Sequence, residues 1–140
     1  MITYVDTSSV LELVIDEDGS ERAGLIWDSA DALASVALVE VEGRAALAAA
    51  RRAGRLDTRQ HRAARDEFSA LIEKLIIVEV TEELVEEAAD LAEHETLRGY
   101  DAVHLAAALT VEATVLTSAD TALCDAAERH GLHVANPLDS

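Results

Sequence analysis

The chain is poor in aromatic residues, cysteine, proline and lysine. Its 140 residues include one Trp, two Tyr and one Phe. A core with so few rings has to be built from Ala, Leu and Val at close range. The single cysteine, Cys124, excludes an intrachain disulfide framework and suits a reducing compartment. No charged-then-apolar leader opens the chain, and no apolar run is long enough to cross a bilayer. A soluble cytoplasmic protein with no membrane partner is expected. There is no glycine-rich phosphate loop of the P-loop or Rossmann kind and no Gly-x-Ser-x-Gly turn. A zinc site is poorly supported, because Cys124 is alone and the His130-x-x-His133 pair is interrupted by Gly131.

Half of the residues are apolar, which predicts a folded globule, and the length suits one domain spanning residues 1–140. The formal charge is −17, but it is unevenly spread. Between Arg44 and Arg65 lie Arg44, Arg51, Arg52, Arg55, Arg59, Arg62 and Arg65, against one acid, Asp57. That window carries +6, which leaves −23 on the rest of the chain. A charge run of this kind is compatible with a solvated helical face, or with a basic arm beside an acidic centre.

The pattern of apolar residues alternates between strands and helices. Ile2–Val5 reads as a buried strand, and Ser8 or Ser9 is placed to cap a helix reaching about Ile15. Ser20 caps the next helix, to about Ser29, and Ala32–Ser35 reads as a weak strand. Leu38–Ala53 is strongly helical and stops at Gly54. Asp57 and Gln60 have capping-box spacing ahead of a helix with Phe68, Leu71, Ile72 and Leu75 on one stripe. A strand over Ile76–Val80 follows, then a helix from Thr81 to about His94 and another over Tyr100–Leu109. The chain closes with a strand over Thr114–Thr117, a helix over Ala119–His130 and a strand over Leu132–Ala135. Long links between all strands imply a parallel sheet with helices on both faces.

Acids fall where such a sheet binds ligands, outside the carboxyl ends of its strands. Asp6 ends the first strand, Asp120 follows the strand over Thr114–Thr117, and Asp101 opens a helix after Gly99. Glu40 and Glu42 sit in the first turns of the long helix after the second strand. Four carboxylates that converge repel one another unless they take up protons or share a cation. Oxygen donors favour Mg²⁺ or Mn²⁺. Taken singly, each acid also fits a plainer role: capping for Asp6, a first-turn helix acid for Asp101 and Asp120, and a surface helix residue for Glu42.

Four stretches in order, Tyr4–Ser9, Glu42–Leu47, Tyr100–Ala108 and Leu116–Asp120, together with Gly131-Leu132 and Asn136-Pro137, resemble a PIN-domain ribonuclease of the VapC type. The resemblance covers almost the entire chain. It implies a PIN-like three-layer α/β/α sandwich with a central parallel sheet. It also implies an Mg²⁺- or Mn²⁺-dependent endoribonuclease, the toxin of a type II toxin–antitoxin pair. Asp6, Glu42, Asp101 and Asp120 would form the catalytic, metal-binding site, with Ser8 and Thr117 as the small hydroxyl residues lining it. A cognate antitoxin and a homodimer are the implied protein partners, and RNA the implied substrate. Metal-activated water would cut a phosphodiester and leave a 5′-phosphate and a 3′-hydroxyl.

Glu40 and Glu42 are two residues apart, so on a helix they point about 200° apart and only one faces the site. Glu42 carries the family match, and Glu40 is the alternative. His104, three residues after Asp101, is read as packed and hydrogen-bonded, without a catalytic role. Tyr100 and Trp27 are read as core or interface residues. The competing function is a catalytically inactive PIN-like module that uses its acids to dock a basic peptide. A phosphatase using Asp6 as nucleophile expects a second Asp where Ser8 stands, and a receiver domain expects a lysine after a late strand, whereas Lys74 precedes one.

Overall fold

The computed structural model describes residues 1–139. Its five strands are β1 (Ile2–Val5), β2 (Ala32–Val36), β3 (Ile76–Val78), β4 (Val115–Thr117) and β5 (His133–Ala135). They pair in parallel in the order β3-β2-β1-β4-β5. The helices are α1 (Thr7–Leu11), α2 (Ser20–Ser29), α3 (Leu38–Arg52), α4 (Thr58–Ile72), α5 (Glu82–Glu95), α6 (Gly99–Thr110) and α7 (Thr121–Arg129). The arrangement is the three-layer α/β/α sandwich expected from the sequence.

Alternation along β1 separates the two cores, because successive side chains of a strand point to opposite faces. Tyr4 packs with Leu91, Leu105, Leu116 and Leu123 under α5, α6 and α7. Val5 packs with Val10, Val39, Leu47 and Phe68 under α1, α3 and α4, and Trp27 of α2 lies against this second cluster. The scarcity of rings is met by small residues. Ala102, Ala106, Ala107 and Ala108 of α6 are fully buried. Gly43 of α3 lies so close to Phe68 that a Cβ there would fall 2.0 Å from Cζ of the ring. A missing side chain on α3 thus makes the seat for the largest side chain of α4.

Several local signals operate as read. Asp57 Oδ1 accepts the Gln60 N–H at 2.8 Å while Gln60 Oε1 accepts the Asp57 N–H at 2.9 Å, a complete capping box. Gly54 takes φ +80° in the link between α3 and α4, a conformation that Cβ-bearing residues rarely adopt. Three boundaries differ from expectation by two residues or more. Helix α1 ends at Leu11, and the chain tightens into i→i−3 bonds from Leu13 to Val10 and from Val14 to Leu11. Strand β3 stops at Val78, and α7 starts at Thr121 because Asp120 caps it.

The register sets up the site. Val5 pairs with Thr117, and the Asp6 N–H reaches the Thr117 carbonyl at 3.3 Å. The chain therefore leaves β1 and β4 side by side, at the same end of the two central strands.

Candidate functional site

Asp6 is the N-cap of α1 and is 5% exposed. Its Oδ1 accepts the Ser9 N–H at 3.1 Å and the Ser8 hydroxyl at 2.7 Å. Its Oδ2 accepts the Ser118 hydroxyl. Ser118 Oγ in turn accepts the Asp120 N–H at 2.9 Å, and Ser8 Oγ accepts the Ala119 N–H at 3.1 Å. Two serines thus stitch the β1–α1 corner to the β4–α7 corner. The Thr117 hydroxyl lies elsewhere, buried 3.4 Å from Ser9 Oγ, so the hydroxyl meeting an acid here belongs to the next residue, Ser118.

Asp120 caps α7 through Oδ1, which accepts the Leu123 N–H at 3.0 Å. Its Oδ2 takes an Arg98 Nη2–H at 3.0 Å. Asp101, in the first turn of α6, receives the same guanidinium at 3.3 Å. One exposed cation thus serves two carboxylates. Burial and then the charge of Asp120 push the Asp101 carboxyl above its ordinary value, and Arg98 only partly offsets them.

Glu42 lies in the second turn of α3 and turns inward, whereas Glu40 is exposed. Glu42 Oε1 accepts the Thr7 hydroxyl and the His104 Nε2–H, both at 2.8 Å. Burial opposes its charge, but the bonds from His104 and Thr7 prevail and hold its carboxyl below the usual value. His104 is 3% exposed, and Tyr4 Oη lies 2.8 Å from its Nδ1. A carboxylate only accepts, so Nε2 carries the proton, and in the neutral ring Nδ1 accepts from Tyr4. His104 is packed and hydrogen-bonded, and it orients Glu42.

Asp6, Asp101 and Asp120 are therefore gathered by short links through Ser118 and Arg98. Glu42 reaches the same end of the sheet through His104, one turn beyond Asp101 on α6. Among the described residues, no three Asp, Glu, His or Cys side chains close around one point as a ready-made metal cluster. The donor chemistry still fits a hard divalent ion: the groups are carboxylate oxygens, and a guanidinium already supplies positive charge between two of them. Cys124 offers no competing soft ligand, since burial pushes its thiol up to about 11 and its S–H donates to the Ser118 carbonyl. Sequence reasoning missed Arg98 and Ser118. The i, i+3 spacing of Arg98 and Asp101 was a usable signal for the first. The second depends on the register of β1 with β4, which has no local signature.

A model of the PIN domain matches residues 3–129 of the chain. The chain belongs to the PIN domain family. Ribonuclease VapC45 from Mycobacterium tuberculosis strain CDC 1551 is 39% identical over 110 residues, which cover 79% of this chain and 76% of the relative. FitAcB from Neisseria gonorrhoeae superposes over all of both chains with a TM-score of 0.75 at 19% identity. A toxin–antitoxin complex from Klebsiella pneumoniae contains a chain that matches with a TM-score of 0.69 at 17% identity, over 99% of each chain. At those identities the two solved structures speak for the PIN fold alone. No helix of this PIN domain is long and apolar enough, among the described residues, to cross a membrane.

Proposed function

We propose that the chain is a divalent-metal-dependent endoribonuclease of the VapC type, acting as the toxin of a toxin–antitoxin pair. The observation that carries the reading is the shortage of positive charge where Asp101 and Asp120 share one guanidinium, with Asp6 tied to Asp120 through Ser118. Asp6 and Asp120 also cap their helices, but capping does not require three acids from separate stretches to lie together, where their mutual repulsion works against folding. The relative named as a ribonuclease, at 39% identity, supports the choice of RNA as substrate.

In this reading Asp6, Asp101, Asp120 and Glu42 hold Mg²⁺ or Mn²⁺. The bound ion would supply Lewis-acid stabilisation of the charge that develops on the phosphodiester. The protein groups divide the remaining work. Asp6 is fixed from three sides and sets the position of the site. Ser8 and Ser118 keep it from rotating. Glu42 is oriented by Thr7 and His104 and stays ionised. Burial and the charge of Asp120 raise the proton affinity of the Asp101 carboxyl, so its Oδ1, the oxygen Arg98 does not touch, is assigned to take the proton of the attacking water. Water as nucleophile needs no ribose 2′-hydroxyl, and the products carry a 5′-phosphate and a 3′-hydroxyl.

A cognate antitoxin and a homodimer complete the proposal. Arg98 marks where a partner's guanidinium would fit between the acids. An apolar groove lined by Leu38, Val85, Ala88, Tyr100 and Val103, between α5 and α6, supports a protein contact. The test is cleavage of single-stranded RNA by purified protein with Mn²⁺, with and without EDTA. Asp101→Asn should lose on the order of 10²-fold or more in rate while its circular dichroism spectrum stays unchanged. Equal cleavage by the wild type and by Asp101→Asn would overturn the enzyme and leave the peptide-docking module.

A further inference from the structure

The net positive segment between Arg44 and Arg65 plays no part in the site described so far. It is the α3–α4 hairpin. The two helices run antiparallel, Gly43 against Phe68, with Leu47 and Ala64 buried in the core cluster they share with Val5 and Val10. The Gly54 turn and the Asp57 capping box fix its tip. The arginines of the segment are exposed or half-exposed.

A solvated helix face in a chain with 28 acids should lace its arginines to acids. This one does not. Among the described residues, only Arg55 with Glu17, at 3.6 Å, and Arg65 with its neighbour Asp66, at 4.0 Å, come within ion-pair range of an acid. Arg44, Arg51, Arg52, Arg59 and Arg62 have no acidic partner among them. Between the helices lies a cleft of about 220 Å³ with an apolar floor of Leu47 and Ala48 and a rim of Arg44, His61 and Arg65. No acid lines it. On α4, Arg59, Arg62 and Arg65 recur every third residue, about 4.5 Å apart along the axis, and make a stripe of cations leading to the cleft.

We propose that the α3–α4 hairpin is a phosphate-tracking arm, with the Arg44–His61–Arg65 cleft as a binding site for the backbone of single-stranded RNA. The inference rests on the ribonuclease reading for the identity of its polyanion. Placement favours it: α3 starts at the carboxyl end of β2, so Arg44 lies in the turn that carries Glu42, on the opposite side of the helix. A strand whose scissile phosphate sits at the acids passes the start of α3 and meets the arm. A chain of this net charge repels RNA everywhere else, so a local basic track is what allows association.

The test is fluorescence anisotropy of a labelled single-stranded RNA in EDTA, measured against KCl concentration. The full chain is compared with the double variant Arg44→Ala/Arg65→Ala, with Arg59→Gln/Arg62→Gln, and with Arg22→Ala on α2 as control. Each double variant should weaken binding about tenfold or more at low salt. Each should also reduce the slope of log affinity against log salt by roughly 1.4, at about 0.7 for every phosphate no longer neutralised. Arg22→Ala should match the wild type. A wild-type slope in both double variants, or no salt-dependent affinity in the wild type, overturns the proposal. So does a polyglutamate peptide that loses affinity for the double variants while RNA does not, which would assign the face to a protein. The two readings fail separately. RNA held by the arm but never cut sinks the nuclease and leaves the arm, whereas normal cutting with an unchanged slope sinks the arm alone.

Discussion

Helix α7 has an ion cluster at each end, and the two are built in opposite ways. At its start, Asp120 and Asp101 divide one cation, Arg98, whose side chain is 81% exposed. At its finish, Arg129 and His130 both hold one acid, Glu95, at 2.7 and 2.9 Å. Both arrangements agree with the helix dipole, which favours anions at the N-terminus and cations at the C-terminus. They differ in balance. The hydrogen bond from Arg129 leads in drawing the Glu95 carboxyl below its usual value, whereas burial and Asp120 raise that of Asp101. A cluster that ties two helices together satisfies its charges. A cluster left short of positive charge is arranged for something other than stability.

Glu12 extends the unbalanced side and predicts the largest effect on stability. It follows α1, is 5% exposed, and its Oε2 has no partner among the described residues. Gly19 backs directly onto that oxygen, so closely that a Cβ there would fall 2.5 Å from it. Burial, helped by Glu17 and Asp6, pushes its carboxyl up to about 7 from 4.5. The folded state thus binds this proton more tightly than the unfolded chain. Stability falls as pH rises from 4.5 to about 7 and the penalty is complete above that. A shift of this size corresponds to roughly 3 kcal/mol. Glu12→Gln should therefore raise the urea midpoint at pH 8 and leave it nearly unchanged at pH 4. A midpoint that fails to rise at pH 8 would show that this carboxylate is better solvated than its burial indicates.

Asp101→Asn comes next and sharpens the contrast, because it should uncouple stability from activity. With EDTA present, removing one of two carboxylates that share Arg98 should raise the unfolding midpoint at pH 7, by less than Glu12→Gln does. The gain should fade as pH falls through the raised value of Asp101 toward 3.8, where both states take up the proton. Loss of stability at pH 7 would mean that Arg98 already balances the pair.

How far the sequence foretold this molecule follows the range of each interaction. Strand Ile2–Val5, the length of α3 and the Asp57–Gln60 capping box depend on residues within four positions of each other, and all three were legible. Ser8 and Ser9, read as caps of the first helix, spend their hydroxyls elsewhere: Ser8 on Asp6, Ser9 near Thr117. Asp6 takes the cap itself. The positions of Asp6, Asp101 and Asp120 at helix starts were readable, and so was the geometric argument that Glu40 and Glu42 diverge. The contacts of Ser118 with Asp6 and of His104 with Glu42 span 112 and 62 residues. Only the order of strands in the sheet brings them about, and that order is not written in any local pattern.

The smallest effect should come from the balanced end of α7. Glu95→Gln removes an acid whose proton affinity is lowered by folding, so its contribution is present above 4.5 and lost as pH falls through the depressed folded value. The variant should unfold slightly earlier than wild type at pH 7, and the deficit should close as pH falls below 4.5 through that depressed value. Because the partners are solvent-exposed, 0.5 M KCl should shrink the deficit further, whereas the buried Glu12 penalty should persist in salt. RNA cleavage by Glu95→Gln should equal that of wild type. If Glu95→Gln instead impaired cleavage as much as Asp101→Asn, the short segment from Thr96 to Arg98 that joins the two clusters would be transmitting charge changes from one end of α7 to the other, and the division between a structural pole and a chemical pole would fail.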